Sequence, residues 1–163
     1  MCQEITAYVD GSFDKELEFG GWGVVIQDVA GVTEFKGAEV SKDIESIELK
    51  AIVMALRFSP LHSKVTVYTD SLFIVDAFNS KIWKKYKACN DRSSQYLWLQ
   101  LAKLIKNRIV VLMWVKGHSG ILEHNRADEL ARGALRSSPK YVAAKEQLST
   151  VFTECATSGE VLI

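Results

Sequence analysis

The chain has 163 residues, of which 48% are hydrophobic and 25% charged, with a formal net charge of zero. This is the size and composition of a single water-facing globule with a sizeable core, and it excludes a low-complexity or fibrous protein. The zero is uneven: residues 1–50 carry a balance of −7, and residues 81–108 a balance of +7. A segment that basic faces a polyanion or is a solvated helix face, and charge alone leaves both open.

In chain order, Glu4–Asp10 reads as a strand, with Ile5, Ala7 and Val9 alternating with polar or amphipathic neighbours. Phe19-Gly20-Gly21-Trp22-Gly23 reads as a turn leading into a second strand, Gly23–Asp28. After the turn pair Ala30-Gly31, Val32–Val40 completes an antiparallel meander. Helical period begins at Glu45–Phe58, with Ile44, Ile47, Ala51, Ile52, Ala55 and Leu56 on one face, and Ser59-Pro60 ends it. Lys64–Thr69 is a short buried strand, and Asp70-Ser71 opens a helix running through Phe78.

A polar, lysine-rich stretch, Lys81–Gln95, precedes a helix at Tyr96–Lys106 and a fifth strand at Ile109–Val115. That strand is the longest uninterrupted apolar run and is far too short to span a bilayer, and the N-terminus has no secretion-signal pattern. A loop at 116–120 leads to an amphipathic helix, Glu123–Leu135. The expected fold class is α/β: a five-stranded mixed sheet, strands 1–3 antiparallel and 4–5 parallel to strand 1, flanked by helices. Residues 1–136 form the expected domain. Residues 137–163 form an extension, one helix packed on that domain and a frayed end. Three cysteines, Cys2, Cys89 and Cys155, are odd in number and lack metal-type spacing, which reads as reduced thiols and a cytoplasmic location.

Four acids stand out: Asp10 and Asp70, each ending a strand, and Glu48 and Asp128 on helices. Each has a plain structural explanation. Asp10-Gly11 is a common turn pair, Asp70 is an ordinary helix N-cap, and Asp128 fits a solvated helix face. Glu48 is harder to dismiss, because it lies on or beside the buried stripe, where an unpaired carboxylate is costly. If the fold gathers all four, hard divalent cations must neutralise them or their pKa values must rise. His118 lies in the glycine-flanked loop Gly117-His118-Ser119-Gly120, an accessible position suited to moving protons or to no special role.

Six fragments then fall in order: YVDGS at 8–12, GGWGVVI at 20–26, IELKAIVMAL at 47–56, VYTDS at 67–71, WVKGHSG at 114–120 and RADELAR at 126–132. Together they resemble the type 1 ribonuclease H family over residues 4–135. The resemblance implies a standalone endonuclease that hydrolyses the RNA strand of RNA–DNA hybrids, leaving 5′-phosphate and 3′-hydroxyl ends. It implies two Mg²⁺ per active site, with Mn²⁺ able to substitute. Asp10 would bridge both ions, Asp128 would help hold the one that activates water, and Glu48 and Asp70 the one facing the leaving oxygen. His118 would assist proton movement or product release. Gly11, Ser12 and Glu48 would face 2′-hydroxyls, and Ser71 lies at a substrate-facing position of the family. Lys81, Trp83, Lys84, Lys85 and Lys87 fall where some members carry a basic protrusion (about 81–95) that grips the hybrid, although Trp83 or Tyr86 would equally serve as a core anchor. A monomer is expected, with no membrane partner.

Departures from the family pattern bear on substrate grip. Asp14–Glu18 is acidic where relatives have a Gly/Pro-rich loop, and Asp43-Ile44-Glu45 stands where relatives carry substrate-contacting asparagines. His124-Asn125 replaces Asn-Glu, making His124 a second loop histidine near the site or a surface residue. Other readings are a DNA-cutting nuclease or transferase of the same fold, or a catalytically weak hybrid-binding module.

Overall fold

A computed structural model describes residues 2–85 and 92–158. Three antiparallel strands come first: β1 (Glu4–Asp14), β2 (Phe19–Asp28) and β3 (Gly31–Val40). There follow α1 (Ile44–Phe58), β4 (Lys64–Thr69), α2 (Leu72–Asn79), a 3₁₀ turn (Ile82–Lys84) and α3 (Arg92–Leu104). A second 3₁₀ turn (Ile105–Asn107), β5 (Ile109–Trp114), α4 (Leu122–Ser137) and α5 (Pro139–Ser158) complete the chain. The five strands form one mixed sheet in the order β3-β2-β1-β4-β5, with β4 parallel to both β1 and β5. This is the sheet expected from the periodicities.

The sheet is covered on both faces. Ile5, Ala7 and Val9 of β1 pack with Val65 and Val67 of β4 against α1, α2 and α3. On the other face, Tyr8 and Val25 meet Ala127 and Leu130 of α4. The alternation along β1 therefore assigns Asp10 to the α4 face, on the same side as Tyr8.

Two parts of the meander differ from the expectation. Phe19–Gly23 is not a turn but the first half of β2, and every one of its residues is buried. The reversal comes earlier, at residues 15–18, where Asp14 Oδ1 accepts from the backbone N–H groups of Glu16 (3.0 Å) and Leu17 (3.1 Å). Glycines occupy β2 because α4 lies directly on it. A Cβ at Gly21 would come 2.2 Å from the Ala131 carbonyl oxygen, and one at Gly23 would come 2.2 Å from that of Ala127. The second difference is β1 itself, which continues through Asp10 to Asp14 instead of ending at Asp10. Asp10 pairs with Gly23, so the turn reading of Asp10-Gly11 is wrong.

Helix α1 begins one residue earlier than expected, capped by Asp43, whose Oδ1 accepts from the Ser46 N–H at 2.6 Å. Ile44 is exposed, so it does not belong to the buried stripe that Ile47, Ala51, Ile52, Ala55 and Leu56 form. Pro139 occupies the first position of α5, where its missing N–H costs nothing. Helix α5 meets the rest of the chain at its start: Tyr141 is buried against Phe19 and Leu135, and its hydroxyl donates to Asp14 Oδ2 at 2.8 Å. Further along, Val151 and Phe152 are exposed. Among the described residues, no helix is long and apolar enough to cross a membrane.

Candidate active site

Strands β1 and β4 run parallel from Glu4↔Lys64 to Tyr8↔Tyr68 and then part, while β1 stays paired with β2. That split, at the carboxyl ends of two parallel strands, opens a crevice of the kind α/β sheets use for ligands. Asp10 lies two residues past the last β1–β4 pair, and Asp70 follows directly on β4. Asp70 is not an N-cap: Ser71 holds that position, without a side-chain bond. Its carboxylate is therefore free of helix duty, while its carbonyl accepts from Trp114 Nε1 at 3.0 Å.

Glu48 reaches the crevice from α1, on the opposite face. The Gly11 N–H is shared by Asp10 Oδ1 at 2.8 Å and Glu48 Oε1 at 3.0 Å, tying the two carboxylates to one donor. A Cβ at Gly11 would stand 2.9 Å from both Glu48 Oε1 and Ile47 Cγ2, so only glycine lets α1 approach this closely. Asp10 and Glu48 are both buried, and Glu48 Oε2 has no hydrogen-bond partner among the described residues. Burial, then the Asp70 charge, pushes the Asp10 carboxyl up to about 7. Burial, then Asp10 and Asp70, drives Glu48 in the same direction.

Helix α4 contributes the remaining groups. Asp128 is half-buried and forms an ion pair with Arg132 one turn on, Oδ2 to Nη2, at 2.6 Å. It is not on a solvated face, and its charge is felt at Asp10. His124 departs most from expectation. It is neither in a loop nor on the surface but in the first turn of α4, 3% exposed, with Nε2 lacking a partner among the described residues. Ligand atoms of Asp10, Asp70 and His124 all lie within 4.8 Å of one another. Burial pulls the imidazole pKa down, against Asp70 and Asp128, which pull it up.

Of the four acids singled out in the sequence, Asp10 and Asp70 are thus close together, Glu48 joins through Gly11, and Asp128 is turned to Arg132. His118 is exposed in the loop after β5, at φ 55°, near enough to His124 to lower its pKa. Ser12 lies on β1 opposite Gly21, and Ser71 at the start of α2, both half-buried. Lys81, Lys84 and Lys85 are exposed around the first 3₁₀ turn; Lys87, Tyr86 and the Trp83 side chain lie outside the described structure. Lys81, Lys84 and Lys106 line a groove of about 700 Å³ with Phe78, Asn79, Ala102 and Ile105.

With this geometry in view, comparison with known proteins gives a direct assignment. The RNase H family model matches residues 2–136. The chain belongs to the RNase H family. Its relatives include the ribonuclease H of Brucella anthropi, 36% identical over 136 residues, which are 80% of this chain and 88% of that protein. The ribonuclease H of Ehrlichia ruminantium is 32% identical over 139 residues, 81% of this chain and 94% of its own. That of Chlorobium luteolum is 33% identical over 147 residues, 85% of this chain and all of its own length. Among solved structures, LC9-RNase H1 superposes with a TM-score of 0.68 at 19% identity, over 88% of this chain and 85% of that one. It agrees on the fold.

The family explains why acids gather at the β1–β4 split, and the donor chemistry fits hard divalent cations. Carboxylate oxygens crowd a buried crevice, one of them, Glu48 Oε2, is orphaned, and Asp10 is pushed towards protonation when no cation balances it.

Proposed function

We propose that this RNase H-family enzyme hydrolyses the RNA strand of RNA–DNA hybrids with two divalent cations, Mg²⁺ or Mn²⁺, leaving 5′-phosphate and 3′-hydroxyl ends. The observation that carries the reading is the convergence of Asp10, Glu48 and Asp70 at the β1–β4 split, with Asp10 raised to about 7. Asp10, Glu48, Asp70 and Asp128 would hold the cations. When bound, these ions supply a nucleophile from water at neutral pH and stabilise charge developing on the leaving 3′ oxygen.

The chain's own residues set the rest. The Gly11 N–H fixes Asp10 and Glu48 in one orientation, so neither must reorganise on binding. Asp128 is pre-aligned by Arg132, whose guanidinium is exposed and can give way to a cation. His118, on its exposed loop, moves a proton at the leaving oxygen or speeds product release. Gly11, Ser12, Glu48 and Ser71 line the approach where 2′-hydroxyls would report RNA. Lys81, Lys84 and Lys85 would grip phosphates of the hybrid, with Trp83 and Lys87 continuing that segment. We assign catalysis to residues 1–136 and treat the rest as an appendage, a division supported by the reach of the family match.

A labelled substrate panel in Mg²⁺ tests this. RNA in a hybrid should be cut, while the same sequence as DNA duplex, RNA duplex or single strand should resist. Preferential cutting of DNA duplex would favour the other nucleases of this fold instead.

A further inference from the structure

Resting on the metal-dependent reading above, we propose that His124 is a direct nitrogen ligand of the cation held by Asp10 and Asp70, which makes this centre a mixed nitrogen–oxygen site with raised affinity for Mn²⁺. Three observations carry the proposal. His124 is 3% exposed, and its Nε2 is buried without a hydrogen-bond partner among the described residues, a costly arrangement for a polar atom. Its ligand atom falls within 4.8 Å of carboxylate oxygens of both Asp10 and Asp70. Bonds of about 2.0–2.2 Å hold two donors of one ion up to about 4.4 Å apart, so slight closure would bring all three onto one cation.

The third observation is where the donors come from. Asp10 is on β1, Asp70 follows β4 and His124 is in the first turn of α4, so the three sit on separate elements. Helix α4 is fixed against the sheet by the close approach at Gly21 and Gly23, and Arg126 binds Glu34 of β3 through two bonds of 2.8 and 3.0 Å. The imidazole is therefore held over the crevice by the same packing that seats the helix. Imidazole suits Zn²⁺, Fe²⁺ and Ni²⁺ best; Mn²⁺ also favours oxygen but, as a transition ion, takes a nitrogen donor more readily than Mg²⁺ does, so the expected consequence is selectivity for Mn²⁺ over Mg²⁺.

Electron spin-echo spectroscopy of Mn²⁺ bound to the full chain, with natural-abundance and ¹⁵N-histidine protein, reads the bond directly. The expected spectrum has modulation from one coordinated imidazole that changes on labelling, vanishes in His124→Asn and persists in His118→Asn. Calorimetry should give His124→Asn about tenfold weaker Mn²⁺ binding, with Mg²⁺ binding much less affected. Bound Mn²⁺ with no histidine coupling, or coupling lost in His118→Asn instead, would overturn the proposal while leaving the carboxylate site intact. Failure of the wild type to bind Mn²⁺ would remove the metal reading itself, and this proposal with it. Should His124→Asn not fold, the labelled wild type with His118→Asn and His62→Asn decides: coupling retained in both variants leaves His124 as the donor, and coupling lost in either overturns the proposal.

Discussion

Asp10 and Glu48 share a buried donor, and burial beside the Asp70 charge raises both carboxyls, a shift with a definite sign. The Asp10 carboxyl moves from 3.8 to about 7 on folding, and Glu48 shifts the same way. A raised carboxyl adds no penalty while protonated in both states, below about pH 4. It destabilises the fold progressively as pH climbs through 7. In EDTA, Asp10→Asn should therefore stabilise the protein at pH 8, on the order of 2 kcal/mol, and do little at pH 4. Urea unfolding at both pH values checks this, and an equal effect at both would contradict it. Gly11→Ala should act oppositely, costing about 1–3 kcal/mol because its methyl group meets Glu48 and Ile47. The closeness of Asp10 and Asp70 was legible from their motifs. His124 was legible as a histidine near the site, but its burial was not: that depends on how α4 lies across the sheet, which its neighbours in sequence do not reveal.

Helices and strands were legible wherever one periodicity dominated. The period of two in Ile5, Ala7 and Val9, and the 3.6 period from Ile47 to Leu56, locate β1 and α1 within a few residues. Phe19–Gly23 misled because glycine serves both turns and close approach, and only tertiary packing tells them apart. The glycine–helix contact positions Asp128 and His124, so Gly23→Ala should push α4 outward. Stability should drop by about 2 kcal/mol or more, and hybrid cleavage should fall with it. A thermal melt with a cleavage assay on the same sample tests that coupling; an unchanged melt would sever it. Tyr141→Phe removes the bond to Asp14, and about 1 kcal/mol of stability should go with it, with cleavage unaffected. The acidic turn beginning at Asp14 is thus tied to α5, a link that no local pattern in the sequence signals.

At the scale of the molecule, a net charge of zero conceals an acidic N-terminal third and a basic middle. The acids are partly consumed: Asp43 caps α1, Asp14 holds the first reversal and Asp28 the second, where it accepts from Ala30 and Gly31. Lys81, Lys84 and Lys85 are exposed beside a groove. Replacing all three by Ala should weaken hybrid binding and reduce the salt slope by roughly two to three. A slope unchanged between 50 and 200 mM salt, compared by titration at about those concentrations, would remove the segment from the interface. The central claim is that carboxylates at the β1–β4 split carry hydrolysis. Single-turnover cleavage of an RNA–DNA hybrid in Mg²⁺ tests it most directly. The wild type should cut the RNA strand, and Asp10→Asn and Asp70→Asn, both folded, should each lose at least about a hundredfold in rate; undiminished cleavage by either variant would contradict the account.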